Sequence, residues 1–412
     1  MTQSGRAQGW FVLIAGAVGV FMTTPGQTVG VSAFVDHIAD DLGIAREQVV
    51  MLYSVGTLLG ILPAPLIGRL VDRHGPRRAI GFIAPVLGLA CATLAWAHGP
   101  WSLALGFTLL RGSAIGGLYL VSLNLVNLWF DRLRGRATAI AMLGLALGGL
   151  VIPGVAEQIT AAYGWRVAYL VLGATVAATM LPVGLLFFRD RPQAYGLAPD
   201  FGKALPADAT KVSAGLTLGE ASRTQMFWYL LSISILANAV GTALLLDHVR
   251  ALQLAGLGRA SAIGLLGVVT VAQAICVLGG GVLVDQYGTR RVGMLGLMLL
   301  ALAVGSVMTA PAIVAGSIYA AALGAGLGIL HVVQGAGLAE HFGTRHLGTL
   351  RGTTSVFGIC GAAAGPLLFA WWSPETGYVV FLASTAIALM LGVSAGPYFH
   401  YSRNIVDKRS EP

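Results

Sequence analysis

A few polar side chains stand deep inside apolar stretches of this sequence, where each must have a partner or a use: Gln27, Arg111, Tyr119, Gln273, His331 and Gln334. Arg111 is the one Lys or Arg at mid-depth in such a stretch, about 15 Å along a helix from Trp101. An unpaired guanidinium in lipid is costly, so it must face protein or a water-filled cavity. There it either braces the fold through backbone carbonyls and buried polar groups, or attracts an anionic substrate or assists proton coupling. His331 lies about 13 Å along a helix from Glu340 and can exchange a proton near neutral pH. Gln334, one turn on, shares its face. Gln273 lies about 18 Å from Asp285, again at mid-depth. Gln27 follows Thr23-Thr24-Pro25-Gly26. That proline and glycine free backbone groups in mid-span, either as an internally bonded kink or to line a cavity. Asn124 and Asn238 are weaker candidates. Asp247-His248 closes an apolar stretch and reads as a solvated helix end, or as an outer gate.

The elements that must position these residues are spanning helices. The 412 residues are 56% hydrophobic and 10% charged, against about 25% charged in soluble domains. A spanning helix needs about 20 apolar residues. The uncharged stretches, divided at His98-Gly99-Pro100 and near Pro311, predict twelve. The expected plan is an N-terminal six-helix bundle (1–188), a cytoplasmic linker (189–223) with a short surface helix around Leu216–Arg223, and a C-terminal six-helix bundle (224–412). The formal charge of +8 would suit nucleic acid. Yet the basic residues fall in short turns on one side, leaving Arg46, Arg166, Arg250 and Arg259 opposite. That asymmetry reads as topology, with both termini cytoplasmic in a cell membrane and no nucleic-acid partner. Cys91, Cys276 and Cys360 lie in apolar stretches with no paired spacing, so neither a metal site nor a disulfide framework is expected.

The chain repeats itself. Gly68–Arg78 reads G-R-L-V-D-R-H-G-P-R-R and returns as Gly281–Arg291, G-V-L-V-D-Q-Y-G-T-R-R, at an offset of 213 residues. Gly112-x-x-x-Gly116-x-x-Tyr119 in the fourth span meets Gly324-x-x-x-Gly328-x-x-His331 in the tenth at an offset of 212. Small residues spaced this way let helices approach, so Tyr119 and His331 are expected on faces turned into the bundle. Gly164-Trp165 meets Gly377-Tyr378 at 213. Two parallel repeats of six helices are a known transporter plan.

The Gly68–Arg78 turn, its echo and the doubled six-span plan resemble the major facilitator superfamily over nearly the whole chain. Trp129-Phe130-Asp131-x-x-Arg134-Gly135-Arg136-Ala137, Ala339-Glu340-His341-Phe342-Gly343 and Leu350-Arg351-Gly352 are similar to the bacterial monocarboxylate and organic-anion porters. The resemblance implies an all-α membrane fold and a gating role for Gly68, Asp72, Arg73, Gly75, Arg77, Arg78, Arg134, Arg136, Asp285 and Arg290. Asp72 would accept hydrogen bonds at a helix N-terminus in the other half or pair with Arg134 or Arg136, and Asp285 with Arg290 would be the counterpart. Such contacts hold the inner side shut while the outer side is open.

Absences shape the functional expectation. No Asp or Glu falls at mid-depth, which disfavours cation and sugar carriers that need such a carboxylate. The fifth span has Gly144, Gly148 and Pro153 but not the G-P-x-x-G-G run associated with drug–proton antiporters. Organic-anion porters resembling this fold carry an arginine in the eighth span where this chain has Val277. No phosphate-binding loop, metal-ligand cluster or nucleophile–base pair is present, so neither an enzyme nor a cofactor is expected. The reading is a secondary transporter acting by alternating access on a small organic anion such as a monocarboxylate. Its site lies near the repeat interface and draws on Gln27, Arg111, Tyr119, Gln273, His331 and Gln334, with proton symport through His331. A monomer in the bilayer, with protons as co-substrate, is expected. The alternatives are efflux of a neutral or amphiphilic compound and, in another class, a membrane substrate sensor.

Overall fold

Inside lipid every backbone N–H and C=O must be satisfied within the protein, so apolar runs of spanning length become helices. The computed structural model describes residues 3–201, 215–246, 248–254, 256–309, 313–371 and 374–408. Among these residues there is no strand beyond an isolated bridge between Gly215 and Gly343. The helices, in chain order, are α1 (Gln3–Phe21), α2 (Thr28–Ser32), α3 (Val35–Leu42), α4 (Arg46–Ile61), α5 (Ala64–Ala95), α6 (Pro100–Arg111), α7 (Leu120–Trp129), α8 (Arg134–Tyr163) and α9 (Trp165–Phe187). They continue as α10 (Leu218–Ala221), α11 (Gln225–Leu246), α12 (His248–Leu254), α13 (Arg259–Thr309), α14 (Ile313–Phe342), α15 (Leu347–Trp371) and α16 (Pro374–Lys408).

Among the described residues, nine helical stretches are long and apolar enough to cross a membrane. Two of them are double. Arg46–Ala95 holds α4 and α5, and Gly264–Ser306 lies within α13. Gly75 inside α5 has φ 79° and ψ 162°, and Gly288 inside α13 has φ 78° and ψ 157°. These are the second glycines of the repeated turn. A positive φ costs glycine nothing and strains any residue with a Cβ, so the chain reverses there twice in the same way. With α15 as the further span, the architecture is the all-α, twelve-helix fold of two pseudo-symmetric six-helix halves.

Local signals explain the other breaks. The first span is not one helix: α1 ends at Phe21, Thr24–Gly26 forms a 3₁₀ turn, and α2 starts at Thr28. Pro25 cannot donate a backbone hydrogen bond, and Thr23 and Thr24 turn their hydroxyls back onto the carbonyls of Val20 and Phe21. α6 begins at Pro100, and Ser102 Oγ accepts from the backbone N–H of His98 and Gly99. The break expected near Pro311 lies outside the described residues. In the linker, α10 is short and closed by a capping box in which Glu220 accepts from Thr217 N at 2.9 Å.

One feature departs from the repeat. Between α6 and α7, residues Gly112–Tyr119 form a π-helix, whereas Gly324–His331 lies in the uninterrupted α-helix α14. A π turn takes up one extra residue. That is the size of the register step by which the repeat offset changes here.

The chain forms two compact units. The first comprises residues 1–131, 140–212 and 345–356, and in it α5 packs on α9, α4 on α6 and α1 on α7. The second comprises 132–139, 213–344 and 357–412, and in it α13 packs on α14 and α16, and α11 on α16. Small residues permit these approaches. In the first unit a Cβ on Gly60 would strike the backbone of Thr108, and one on Gly112 would lie 2.7 Å from the Gly60 carbonyl oxygen.

Candidate functional site

The first unit holds a polar centre around Arg111, which is 5% exposed. The break in the first span leaves the Gly26 carbonyl without a helical partner, and Arg111 Nη1 donates to it at 2.7 Å. Arg111 Nε donates to Thr57 Oγ1 at 3.0 Å, and the Thr57 hydroxyl in turn donates to Tyr53 O at 2.8 Å. The guanidinium carbon sits 5.1 Å from the Tyr53 ring centroid, a cation–π arrangement. Tyr53 Oη donates to Thr28 Oγ1 at 2.9 Å. Gln27, half-buried, donates to Thr23 Oγ1 at 3.2 Å. Arg111 therefore braces the fold through a backbone carbonyl and a hydroxyl. Two nitrogens brace the kinked first span, while Nη2 has no hydrogen-bond partner among the described residues, and no carboxylate there pairs with this cation. Tyr119, half-buried on the π segment, makes no hydrogen bond to them and lies within the field of Arg351.

The second unit holds a centre around His331. Gln273 Nε2 and His331 Nδ1 lie 3.3 Å apart. With the carboxamide nitrogen donating, Nδ1 carries no proton and Nε2 does. Gln334 Nε2 is buried and has no hydrogen-bond partner among the described residues, an arrangement that a folded interior rarely leaves without a use. Val277 is buried at 8% exposure and supplies no charge. Asn238 spends its amide on Ser234 O at 2.8 Å. His248 is not a solvated helix end. It is 1% exposed, with Nδ1 3.1 Å from Tyr319 Oη and Nε2 3.0 Å from Ala262 O. Asp247 lies outside the described residues.

The repeated turns place two carboxylates on two helix N-termini. Asp72 accepts from Gly348 N at 2.7 Å and from Thr349 N and Oγ1, each at 2.8 Å, at the start of α15. Asp285 accepts from Gly135 N at 2.6 Å and Arg136 N at 3.2 Å, at the start of α8. Residues 345–356 belong to the unit of Asp72, and residues 132–139 to that of Asp285. The unpaired N–H groups and the dipole at a helix start favour an anion there. Gly68 and Gly348 make this contact possible in one unit and Gly281 and Gly135 in the other, since a Cβ on any of them would meet the facing backbone.

Arg136 pairs with Asp285 at 3.4 Å. Arg290 does not serve Asp285. It lies beyond the reversal at Gly288 and donates to Gly392 O at 2.7 Å and Val393 O at 3.1 Å. Arg134, buried at 9% exposure, lies where its charge acts on His341. Arg73, Arg77 and Arg78 are exposed. Arg77 contributes its backbone N–H, which donates to Asp190 Oδ1 at 3.0 Å. Among the described residues no group of His, Cys, Asp and Glu could hold a metal ion.

The family model of the Major Facilitator Superfamily matches residues 16–270. The chain belongs to this superfamily. It is 24% identical over 304 residues to the MFS-type transporter YhjX of Escherichia coli K12, covering 73% of this chain and 72% of that one. It is 27% identical over 165 residues to the probable sulfoacetate transporter SauU of Cupriavidus necator, 40% and 38% of the two chains. With the oxalate:formate antiporter of Oxalobacter formigenes it shares 22% identity over 252 residues, 60% and 57%. Among solved structures, the proton:xylose symporter XylE aligns at a TM-score of 0.69 with 15% identity, covering 96% of both chains. At that identity the likeness speaks for the fold. The protein is thus a multi-pass membrane protein of a transporter superfamily.

Against that superfamily background, several residues escaped the sequence reading. Tyr53 and Thr57 complete the Arg111 centre, yet a Tyr and a Thr in an apolar helix carry no signal by themselves. Their spacing at i and i+4, a turn apart on one face, was the available clue. Arg351 stood in a recognised motif but was not read as buried; it is 4% exposed and donates from Nη1 to Asn124 Oδ1 at 2.8 Å. Glu340 accepts from Thr289 N at 3.1 Å, capping the helix that starts after Gly288.

Proposed function

We propose that this superfamily member is a secondary active transporter of a small organic anion, in the first instance a monocarboxylate, working by alternating access with proton coupling. The observation that carries this reading is Arg111. It is a buried cation whose braces are all neutral, so the charge is fixed in place but not cancelled. A buried charge without a counter-charge is strongly unfavourable, and an anionic substrate supplies one. Nη2 is the donor left for it, and a guanidinium suits a carboxylate in geometry as well as charge. The names of two relatives, an oxalate:formate antiporter and a probable sulfoacetate transporter, agree with this chemistry. Gln27, Tyr119, Gln273 and Gln334 are proposed as hydrogen-bonding contacts, and His331 as the group that carries the proton. The bias of basic residues to one side supports a plasma-membrane protein with both termini cytoplasmic.

The test is uptake of ¹⁴C-labelled lactate, oxalate and sulfoacetate into proteoliposomes with and without an inward proton gradient. Saturable uptake of at least one acid is expected, and Arg111→Gln should reduce it at least tenfold. Transport of a neutral compound with no saturable flux of any carboxylate overturns the reading. For coupling, His331→Gln should transport without gradient stimulation. Unchanged stimulation clears His331.

A further inference from the structure

One buried polar cluster in the second unit takes no part in the centre around His331. His248, at the start of α12, is 1% exposed. Its Nε2 lies 3.0 Å from Ala262 O in α13, and its Nδ1 lies 3.1 Å from Tyr319 Oη in α14. Tyr319 Oη lies in turn 3.3 Å from Leu244 O in α11. The ring thus links α12 to three other helices, between the spans Gln225–Leu245 and Gly264–Ser306 and away from the Gly288 turn. At the repeat offset of 213 the positions of Leu244, His248, Ala262 and Tyr319 become Val31, Val35, Val49 and Gly106. The first half has no polar side chain at any of them, so the scaffold does not require one here.

The hydrogens of this cluster do not come out even with a neutral ring. A carbonyl oxygen only accepts, so Nε2 carries a hydrogen for Ala262 O. Tyr319 has one hydroxyl hydrogen and two neighbours that accept it, Nδ1 of a neutral ring and Leu244 O. With the ring neutral, one of those contacts goes without. With a second proton on Nδ1, the ring donates to Tyr319 Oη, the hydroxyl turns to Leu244 O, and all three contacts carry a hydrogen. The heavy atoms need not move. Burial opposes the charge and holds the ring below the usual histidine range. The second proton therefore binds when the medium beside the ring turns acid. Few charged or titratable residues surround it. α14 contributes Tyr319, α12 has Arg250 two residues on, α13 opens at Arg259, and α11 has Tyr229 near its other end. Asp247 lies outside the described residues.

We propose that His248 and Tyr319 form a second proton-binding site, loaded from the outer medium, which sets how transport responds to external pH. The proton adds at Nδ1, and the Tyr319 hydroxyl rotates and keeps its own hydrogen. Tyr319 stands twelve residues before His331 on α14, about 18 Å at the helical rise, so the two histidines do not share a proton. His331 carries the coupled proton. Loading of His248 moves the donor contact of Tyr319 from α12 to α11, so acidity outside is felt by the helix that bears His331. The inference rests on the proton-coupled reading and the topology above.

Proton binding and its effect on transport can be read separately. Full-length protein with ¹⁵N-labelled histidine in lipid nanodiscs would be titrated by NMR, and the resonances lost in His248→Gln mark the ring. Its midpoint should lie below the ordinary histidine value of about 6.5, with Nε2 protonated throughout. Tyr319→Phe removes the acceptor that the charged ring uses, and should lower the midpoint by about one pH unit, a tenfold loss of proton affinity. A ring that stays neutral down to pH 4.5, or a midpoint indifferent to Tyr319→Phe, overturns the site. Should His248→Gln not fold, the resonance that Tyr319→Phe moves marks the ring, and the absence of one overturns the site. ¹⁴C-lactate and ¹⁴C-oxalate uptake would then be followed in right-side-out membrane vesicles, with inner pH held at 7.5 and outer pH lowered from 7.5 to 5.0. The half-saturating concentration should change at least fivefold in the wild type and less than twofold in His248→Gln, which keeps the response to inner pH. Loss of both responses overturns the outer role, since that is the mark of a general defect. A wild type indifferent to pH on both sides overturns the proton-coupled reading itself. An unaltered outer response in His248→Gln overturns the second site alone.

Discussion

At the scale of single residues, Arg111 shows how a kink comes to hold a buried cation. Pro25 and Gly26 free a carbonyl, the carbonyl anchors a guanidinium, and Thr57 sets the rotation of that guanidinium about its stem. Replacing Thr57 by Val removes the acceptor of a charge-assisted hydrogen bond, worth about 1.5–3 kcal/mol. Thr57→Val should therefore lower the apparent Tm by a few degrees and raise the half-saturating substrate concentration severalfold. Differential scanning fluorimetry and transport kinetics on one preparation would check both. His248 supports a prediction about pH. Burial holds its imidazole below the usual histidine range, although its contact with Ala262 O works the other way. The native state therefore binds its proton later than the unfolded state as pH falls. Stability from keeping this ring neutral is fully present above about pH 6.5 and declines as pH drops towards the depressed native value. The fall in apparent Tm between pH 7.5 and 5.0 should be smaller in His248→Gln than in the wild type. An equal fall in both would assign the pH dependence elsewhere. Arg111 and His331 were legible in sequence because charge and polarity are conspicuous in apolar runs. Tyr53, Thr57 and the depth of Arg351 were not, since they depend on which helix faces meet across 54 and 227 residues of chain.

At the scale of elements, two glycines with nearly the same dihedral angles test how much of the repeated turn is backbone strain and how much is packing. Gly75 and Gly288 both sit at positive φ, so alanine at either carries a backbone penalty of about 1–3 kcal/mol. Their surroundings differ. A Cβ on Gly75 would run into the Asp190 carboxylate, which accepts from Arg77 N and so caps the following helix. A Cβ on Gly288 meets only Glu340 Oε1, at 3.1 Å, the far end of a longer side chain. Gly75→Ala should therefore lower the apparent Tm more than Gly288→Ala does. Equal losses would mean that Asp190 yields without cost. The turn was legible because glycine, aspartate and two arginines recur at fixed spacing. The π segment was not. Nothing in Gly112–Tyr119 distinguishes a π turn from the α-helix formed by the similar Gly324–His331 run. The one hint was a repeat offset that slips by a residue.

At the scale of the whole molecule, the repeat makes two contacts of one design, each a carboxylate seated on a helix N-terminus over a glycine–glycine approach. They are not chemically equal. Asp72 gains the Thr349 hydroxyl, whereas Asp285, its side chain 7% exposed, gains an ion pair with the half-exposed Arg136. Neutralising either carboxylate weakens charge-assisted hydrogen bonds to backbone N–H groups, together worth about 1.5–3 kcal/mol. If the closed inner side depends on Asp72, a loss of that size shifts the balance of conformations by roughly ten- to a hundredfold, because about 1.4 kcal/mol is a factor of ten. That shift can be read without a substrate. In a background with Cys91, Cys276 and Cys360 replaced, Tyr119→Cys would be labelled by a membrane-impermeant maleimide in inverted vesicles. Adding Asp72→Asn should raise the labelling rate about tenfold or more. Asp285→Asn should raise it at least as much, because it also loses the ion pair with Arg136. Labelling that is indifferent to both would show that these carboxylates hold the fold together without setting which side is open.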